Sequence, residues 1–188
     1  MRIYKVNLDY IKYLHTHDNK VQYSDRYTDS QNENRPYIGP VLIKDGFSFY
    51  APLEHPRAAH MKLKESCYLA KIDGGKYGII GINNMIPVPE KELIDFDISK
   101  DKNKAILISQ FVFCKKHARA ITYKANKVYT ATANPDTQKS QFSSCNFLKL
   151  ANKAREYSSQ AQTNTQTQQQ PPILPNQIAG MGGFMQGF

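Results

Sequence analysis

The spacing of apolar and polar positions changes once along the chain, from a period of two in the first half to a period of 3.6 in the second, and this sorts the elements it predicts. Ile3 to Val6 suits a strand, and Asn7 offers a cap for a short helix in which Leu8, Ile11 and Leu14 recur at three-residue spacing. Gln22 to Asn34 carries Tyr23, Asp25, Arg26, Tyr27 and Asp29 with no apolar period, and reads as a long surface loop. A hairpin follows, with Tyr37 to Ile43 and Phe47 to Ala51 flanking Lys44-Asp45-Gly46, whose Asp-Gly step supplies the positive φ of a tight turn. Pro40 cannot donate to a ladder and belongs on an edge or at a bulge. A second hairpin is expected from Cys67 to Ile72 and Lys76 to Ile82 around Asp73-Gly74-Gly75, and a strand from Leu93 to Ile98 after the Pro87-Val88-Pro89 break.

In the second half Leu107, Phe111, Cys114, Ala118, Ile121, Ala125 and Val128 step by four and three, which predicts one long helix from about Lys102 to Thr130 with a single apolar face. After a loop from Ala133 to Ser140, Ser144 is placed to cap a last helix that buries Phe147, Leu150, Ala151 and Ala154. The composition shifts after Tyr157. Residues 158–188 hold no Asp, Glu, Lys or Arg and open with a Gln/Thr run that cannot bury enough apolar surface to offset its ordering entropy. The expected organisation is a domain over 1–157 and a disordered, Gln-rich tail over 158–188, ending in apolar residues from Ile173 to Phe188 among Gly and Pro.

Charge narrows the function. Twenty-five Lys and Arg against 16 Asp and Glu give a net charge of +9, all of it within 1–157, and point to a polyanionic partner. Cys67, Cys114 and Cys145 are odd in number, far apart and without metal-ligand spacing, so they read as thiols in a reducing cytoplasm, with no metal site and no cofactor expected. No stretch approaches the roughly 20 apolar residues that span a bilayer, so no membrane role is expected. Walker, Rossmann, HExxH and GxSxG patterns are all missing, which leaves nucleotide hydrolysis, dinucleotide redox chemistry and zinc proteolysis without support.

The segment after the first hairpin holds the candidate chemistry. From Ala51 to Lys64 it places Glu54, His55 and His60 among Arg57, Lys62 and Lys64. Cleavage of RNA by its own 2′-hydroxyl needs a base for that proton, an acid for the leaving 5′-oxygen and cations for the charged phosphorane. His55 or Glu54 suits the base, His55 or His60 the acid, and Arg57 or Lys62 the clamp. A charged, solvent-facing connection before a turn proline is the plainer alternative. Tyr37 and Tyr50 flank the same hairpin and are candidate stacking platforms for bases, or core residues. Lys115, Lys116 and Arg119 on the long helix, with His60, Lys62 and Lys64, form a candidate RNA-binding surface.

Four motifs in order, Arg35-Pro36-Tyr37-Ile38-Gly39, Tyr50-Ala51-Pro52-Leu53, Gly78 to Val88 with its Asn83-Asn84-Met85-Ile86-Pro87 run, and Cys145-Asn146-Phe147, resemble the ToxN/AbiQ family of type III toxin-antitoxin endoribonucleases from Met1 to about Tyr157. The resemblance implies an α+β fold, a compact, twisted antiparallel sheet or barrel core related to Kid/MazF and surrounded by helices. It implies metal-independent cleavage of cellular or phage RNA to 2′,3′-cyclic phosphate and 5′-hydroxyl ends. It further implies inhibition by, and processing of, repeated RNA pseudoknots in a cyclic toxin-RNA assembly, and a role in abortive phage infection. In the family's pattern Pro-Leu is followed by Thr or Ser, then Ser, Pro and Lys, and the serine and lysine are implicated in cleavage. Here those places hold Glu54, His55, Pro56 and Arg57, while Arg35 matches a basic position before the first hairpin strand. The cation is kept and the serine is replaced by imidazole. That replacement supplies a better proton-transfer group, marks an altered mechanism, or inactivates the site. The leading expectation is His55 as acid or base, Glu54 as its orienting or second proton-transfer group, and Arg57 and Arg35 on the phosphate. The rivals are an inactive RNA-binding module of the same fold and a protein-interaction role carried by the tail.

Overall fold

A computed structural model describes residues 1–26, 28–33, 35–133 and 143–167. The loop expected beyond Ala133, up to Ser140, and the apolar tail lie outside them. Among the described residues the strands are β1 (Arg2–Val6), β2 (Tyr37–Lys44), β3 (Phe47–Glu54), β4 (Leu69–Lys71), β5 (Ile79–Gly81), β6 (Ile86–Pro87) and β7 (Leu93–Asp95). The helices are α1 (Leu8–His17), α2 (Asp29–Glu33), α3 (Ala58–Lys62), α4 (Lys104–Lys116), α5 (Ala118–Ala133) and α6 (Phe147–Thr167), with short 3₁₀ turns between strands. All strand pairs are antiparallel, in the order β4-β5-β3-β2-β1-β7, with β6 also on β3. The fold is α+β as expected, but the sheet does not close into a barrel: β4 and β7 are its edges.

The β2-β3 hairpin forms as its alternation predicts, turning at Asp45 (φ 51°) and Gly46 (φ 79°). β2 is interior, so Pro40 has no edge to occupy; it sits where the register shifts between Ile38 and Leu42. The core joins Val6, Tyr10 and Leu14 to Ile38, Phe49, Ile80, Ile82, Val128, Phe147 and Leu150, all at most 1% exposed. Asn7 caps α1, its side-chain oxygen accepting from the Asp9 amide at 3.0 Å.

Several expectations are corrected. The long helix is two: His117 leaves helical geometry (φ −105°, ψ 18°) and separates α4 from α5. Both helices still bury the predicted stripe, Leu107 and Cys114 on one, Ile121, Ala125 and Val128 on the other. The polar loop contains α2, anchored by buried Asn32, whose side chain bonds Ser24 and Thr28. Pro87, the first residue of the expected Pro87-Val88-Pro89 break, pairs with β3 together with Ile86, and the strand expected to Ile98 stops at Asp95. Asn146 rather than Ser144 caps α6, accepting from the Lys149 amide at 3.0 Å. That helix passes the composition boundary at Tyr157 and reaches Thr167. Its Gln and Ala favour helix, and no Pro or Gly occurs from Phe147 up to Pro171.

Candidate active site

The β2-β3 register that pairs Tyr37 with Pro52 and Ile38 with Ala51 brings Arg35 across from Glu54 when continued two residues. The Leu53 amide donates to the Pro36 carbonyl at 2.9 Å and fixes that end of the hairpin. Here the sheet runs out and a cleft of about 980 Å³ opens. One wall is Arg35, Pro36, Leu53, Glu54, His55 and Arg57; the facing walls are Gln22 with Ser30 and Gln31 of α2, and Phe96 with the segment from Lys100 through the first half of α4. All four sequence-predicted catalytic residues, Arg35, Glu54, His55 and Arg57, line this one cleft.

The cleft is electropositive. Arg35, Arg57, Lys100 and Lys102 line it against Glu54 and Asp101, and Lys100 is partly engaged with Asp97 at 3.4 Å. The N-terminal turn of α4 also borders it at Asn103, adding the positive end of a helix dipole. His55 is exposed and has no hydrogen-bond partner among the described residues, so both ring nitrogens are open to a ligand. Among the described residues Glu54 makes no hydrogen bond to His55. Its carboxylate instead accepts from Gln22 Nε2 at 3.3 Å and lies 3.5 Å from His60 Nε2. Gln22 accepts in turn from Arg35 Nη1. Phe96 is half-buried in the wall, with Lys5 Nζ 4.8 Å from its ring centroid.

Three candidate RNA contacts are withdrawn into the interior. Tyr37 is fully buried, a consequence of its place on an interior strand, and burial pushes its hydroxyl up to about 12. Tyr50, at 6% exposed, packs edge-on against Tyr4. His60 is also buried, because α3 turns it back behind Glu54. Lys62, Lys64, Lys115, Lys116 and Arg119 are exposed but lie outside the cleft. Lys115 and Lys116 close the last turn of α4, well over 10 Å along the helix from its first turn. Sequence reasoning missed Gln22, Phe96, Lys100, Lys102 and Gln110, which come from four separate segments and share no local motif. Among the described residues no three His, Cys, Asp or Glu side chains gather as a metal site, and no helix is long and apolar enough to cross a membrane.

The Asn-Asn-Met run forms a clasp and lines no part of the cleft. Asn83 Nδ2 donates to the Ser143 carbonyl at 2.7 Å, its carbonyl accepts from the Cys145 amide at 2.9 Å, and Asn84 Nδ2 reaches the Lys20 carbonyl at 2.8 Å. The Asn146 amide donates to Asp18 at 2.7 Å, so the α1 end, the β5-β6 turn and the start of α6 are tied together.

Comparison with known proteins agrees with this layout. Residues 2–155 match the family model described as toxin ToxN, type III toxin-antitoxin system. Endoribonuclease ToxN of Bacillus thuringiensis subsp. kurstaki is 30% identical over 83% of this chain and 84% of its own length. Endoribonuclease AbiQ of Lactococcus lactis subsp. lactis is 29% identical over 84% of this chain and 90% of its own. The solved structure of AbiQ, a lactococcal anti-phage endoribonuclease, superposes with a TM-score of 0.71 at 28% identity, covering 84% of this chain and 98% of that one. A second solved structure, from work on selective toxin inhibition by a non-coding RNA pseudoknot, gives 0.71 at 28% identity over 83% and 96%. With the match running through nearly all of the sheet and helices that build the cleft, the chain belongs to the ToxN family of type III toxin-antitoxin toxins.

Proposed function

We propose that this protein is an endoribonuclease toxin that cuts cellular or phage RNA in the cytoplasm and is restrained by an RNA antitoxin. The observation that carries the reading is the convergence of Arg35, Glu54, His55 and Arg57 on one electropositive cleft. In that cleft the 2′-hydroxyl of the substrate loses its proton to one of two proton-transfer groups, His55 or Glu54. The 2′-oxygen bonds to phosphorus, the P–O5′ bond breaks, and the departing oxygen takes a proton from the other group. The products are a 2′,3′-cyclic phosphate and a 5′-hydroxyl. Arg35 and Arg57 offset the charge that develops on the phosphorane, and Lys100 and Lys102 hold flanking phosphates. Proton transfer and charge neutralisation are both assigned to side chains, so the reaction needs no metal ion.

The relatives support the partner as well as the activity. One related structure concerns toxin inhibition by a non-coding RNA pseudoknot, and another a processed non-coding RNA that regulates an antiviral system. The exposed cations Lys62, Lys64, Lys115, Lys116 and Arg119 are assigned to antitoxin backbone contacts outside the cleft, in a cyclic toxin-RNA assembly serving phage defence. The test is incubation of wild type and His55→Ala with end-labelled RNA in EDTA, followed by analysis of the 3′ ends. The expected result is cyclic phosphate from the wild type and a rate lower by about 10²- to 10⁴-fold in the mutant. Full cutting by His55→Ala would remove His55 from the mechanism. RNA bound but uncut by both would favour an inactive RNA-binding module.

A further inference from the structure

The proposed reaction leaves unexplained why a histidine sits behind Glu54. His60 is 4% exposed and lines no part of the cleft. Its Nδ1 is buried with no partner, so the ring's polar contact among the described residues is the Glu54 carboxylate. Burying a polar ring that is only half satisfied is costly, and a hydrophobic side chain would fill that space more cheaply. The two carboxylate oxygens are held separately: Oε2 lies 3.5 Å from His60 Nε2, and Oε1 accepts from Gln22, itself fixed by Arg35. The Glu54 side chain keeps 25% of its surface exposed.

The backbone on both sides of the pair is fixed from independent elements. Gly78, at φ +97°, comes so close that a Cβ there would stand 2.0 Å from the Glu54 carbonyl oxygen. Gln110 of α4 donates to that oxygen at 3.2 Å and to the Tyr77 carbonyl at 2.8 Å. Gly75, at φ +99°, abuts α3, where a Cβ would lie 2.9 Å from the His60 carbonyl. Lys71 Nζ donates to the carbonyls of Met61 and Leu63 at 2.8 and 3.0 Å, closing the end of α3. This is the reverse of the serine-protease arrangement, in which a buried carboxylate supports an imidazole that faces the substrate. Here a buried imidazole supports a carboxylate that faces the cleft.

We propose that Glu54 is the base for the 2′-hydroxyl proton and that buried His60 is its positioning residue, an assignment that rests on the ribonuclease reading above. The proton passes from the ribose to a Glu54 oxygen as the 2′-oxygen bonds to phosphorus, and His55 protonates the departing 5′-oxygen. Glu54 then yields its proton to solvent and His55 takes one up, which restores the starting state.

Single-turnover cleavage by the full chain tests this with Glu54→Gln, His60→Asn, His60→Gln and the double variant Glu54→Gln/His60→Asn, each checked for its unfolding midpoint. His60→Asn is expected to slow cleavage at saturating RNA by about 10- to 100-fold with half-saturation unchanged. His60→Gln, whose amide extends toward the imidazole Nε2 position, recovers most of that loss. In the Glu54→Gln background His60→Asn has no further effect, because the pair acts as a unit. An equal loss from His60→Asn in both backgrounds marks a merely structural role and overturns the assignment, while the ribonuclease reading stands. Absence of cutting by the wild type overturns both. Should neither His60 variant fold, the ¹⁵N signals of the His60 ring decide: they move on Glu54→Gln if the pair is real, and a ring that does not respond overturns it.

Discussion

Strand β3 has two ends, one on each side of the register shift against β2, and they are put to opposite uses. At its start Phe49 and Tyr50 pair with Pro87 and Ile86 of β6, and the Phe49 ring packs edge-on against Tyr129 and Phe147. At its finish Leu53 and Glu54 pair with Ile80 and Ile79 of β5, and the next side chains open on the cleft. The apolar end satisfies itself with protein atoms. Around the polar end His55, Arg57 and Lys102 have no hydrogen bond or ion pair among the described residues, which is what a site for a charged ligand requires. A single strand therefore carries packing at one end and, in the proposed mechanism, chemistry at the other.

The largest expected effect comes from the apolar end. Phe49→Ala should cost about 3–5 kcal/mol of unfolding free energy, read from denaturant curves, while the cleavage rate of the molecules that remain folded is unchanged. A lost rate at full folding would show that the two ends are not separable. A smaller effect is expected from the peripheral cations. Replacing Lys62, Lys64, Lys115, Lys116 and Arg119 by Gln should weaken RNA binding and flatten its salt dependence by about 0.7–0.9 log units per log unit of salt for each phosphate no longer neutralised. The single-turnover rate at saturating RNA should hold. The smallest concerns the closed interior. Burial pushes the Cys114 thiol up to about 12 and raises that of Cys145 further, whereas Cys67 is only half-buried. An aromatic disulfide reagent at pH 8 should label Cys67 alone in the native protein, since the two buried thiols stay protonated and shielded. Rapid labelling of all three would contradict the packing.

How much of this was legible in sequence follows the range of the interactions involved. The β2-β3 hairpin announced itself through alternation and an Asp-Gly step, both local signals. The α4-α5 stripe was equally plain, but its interruption was not: His117 is neither Gly nor Pro, and its ring stacks on Phe113 at 4.3 Å in a way the periodicity does not encode. In the cleft, Glu54, His55 and Arg57 were readable because they are contiguous, and Arg35 because the hairpin register brings it back. Phe96, Lys100 and Lys102 reach the site only through the path from β7 into α4. For Tyr37 and His60 residue type alone carries no direction. An interior strand turned one into the core, and the short helix α3 turned the other behind Glu54.

If the finish of β3 is built for reaction rather than for stability, Glu54→Gln separates the two, because it keeps shape and removes charge. Single-turnover RNA cleavage and the unfolding midpoint would be measured on the same preparation beside the wild type. The expected result is a rate lower by about 100-fold or more, with RNA still bound and the midpoint shifted by no more than about 4 °C. A wild-type rate in this variant, or a loss of rate that merely tracks unfolding, would contradict it.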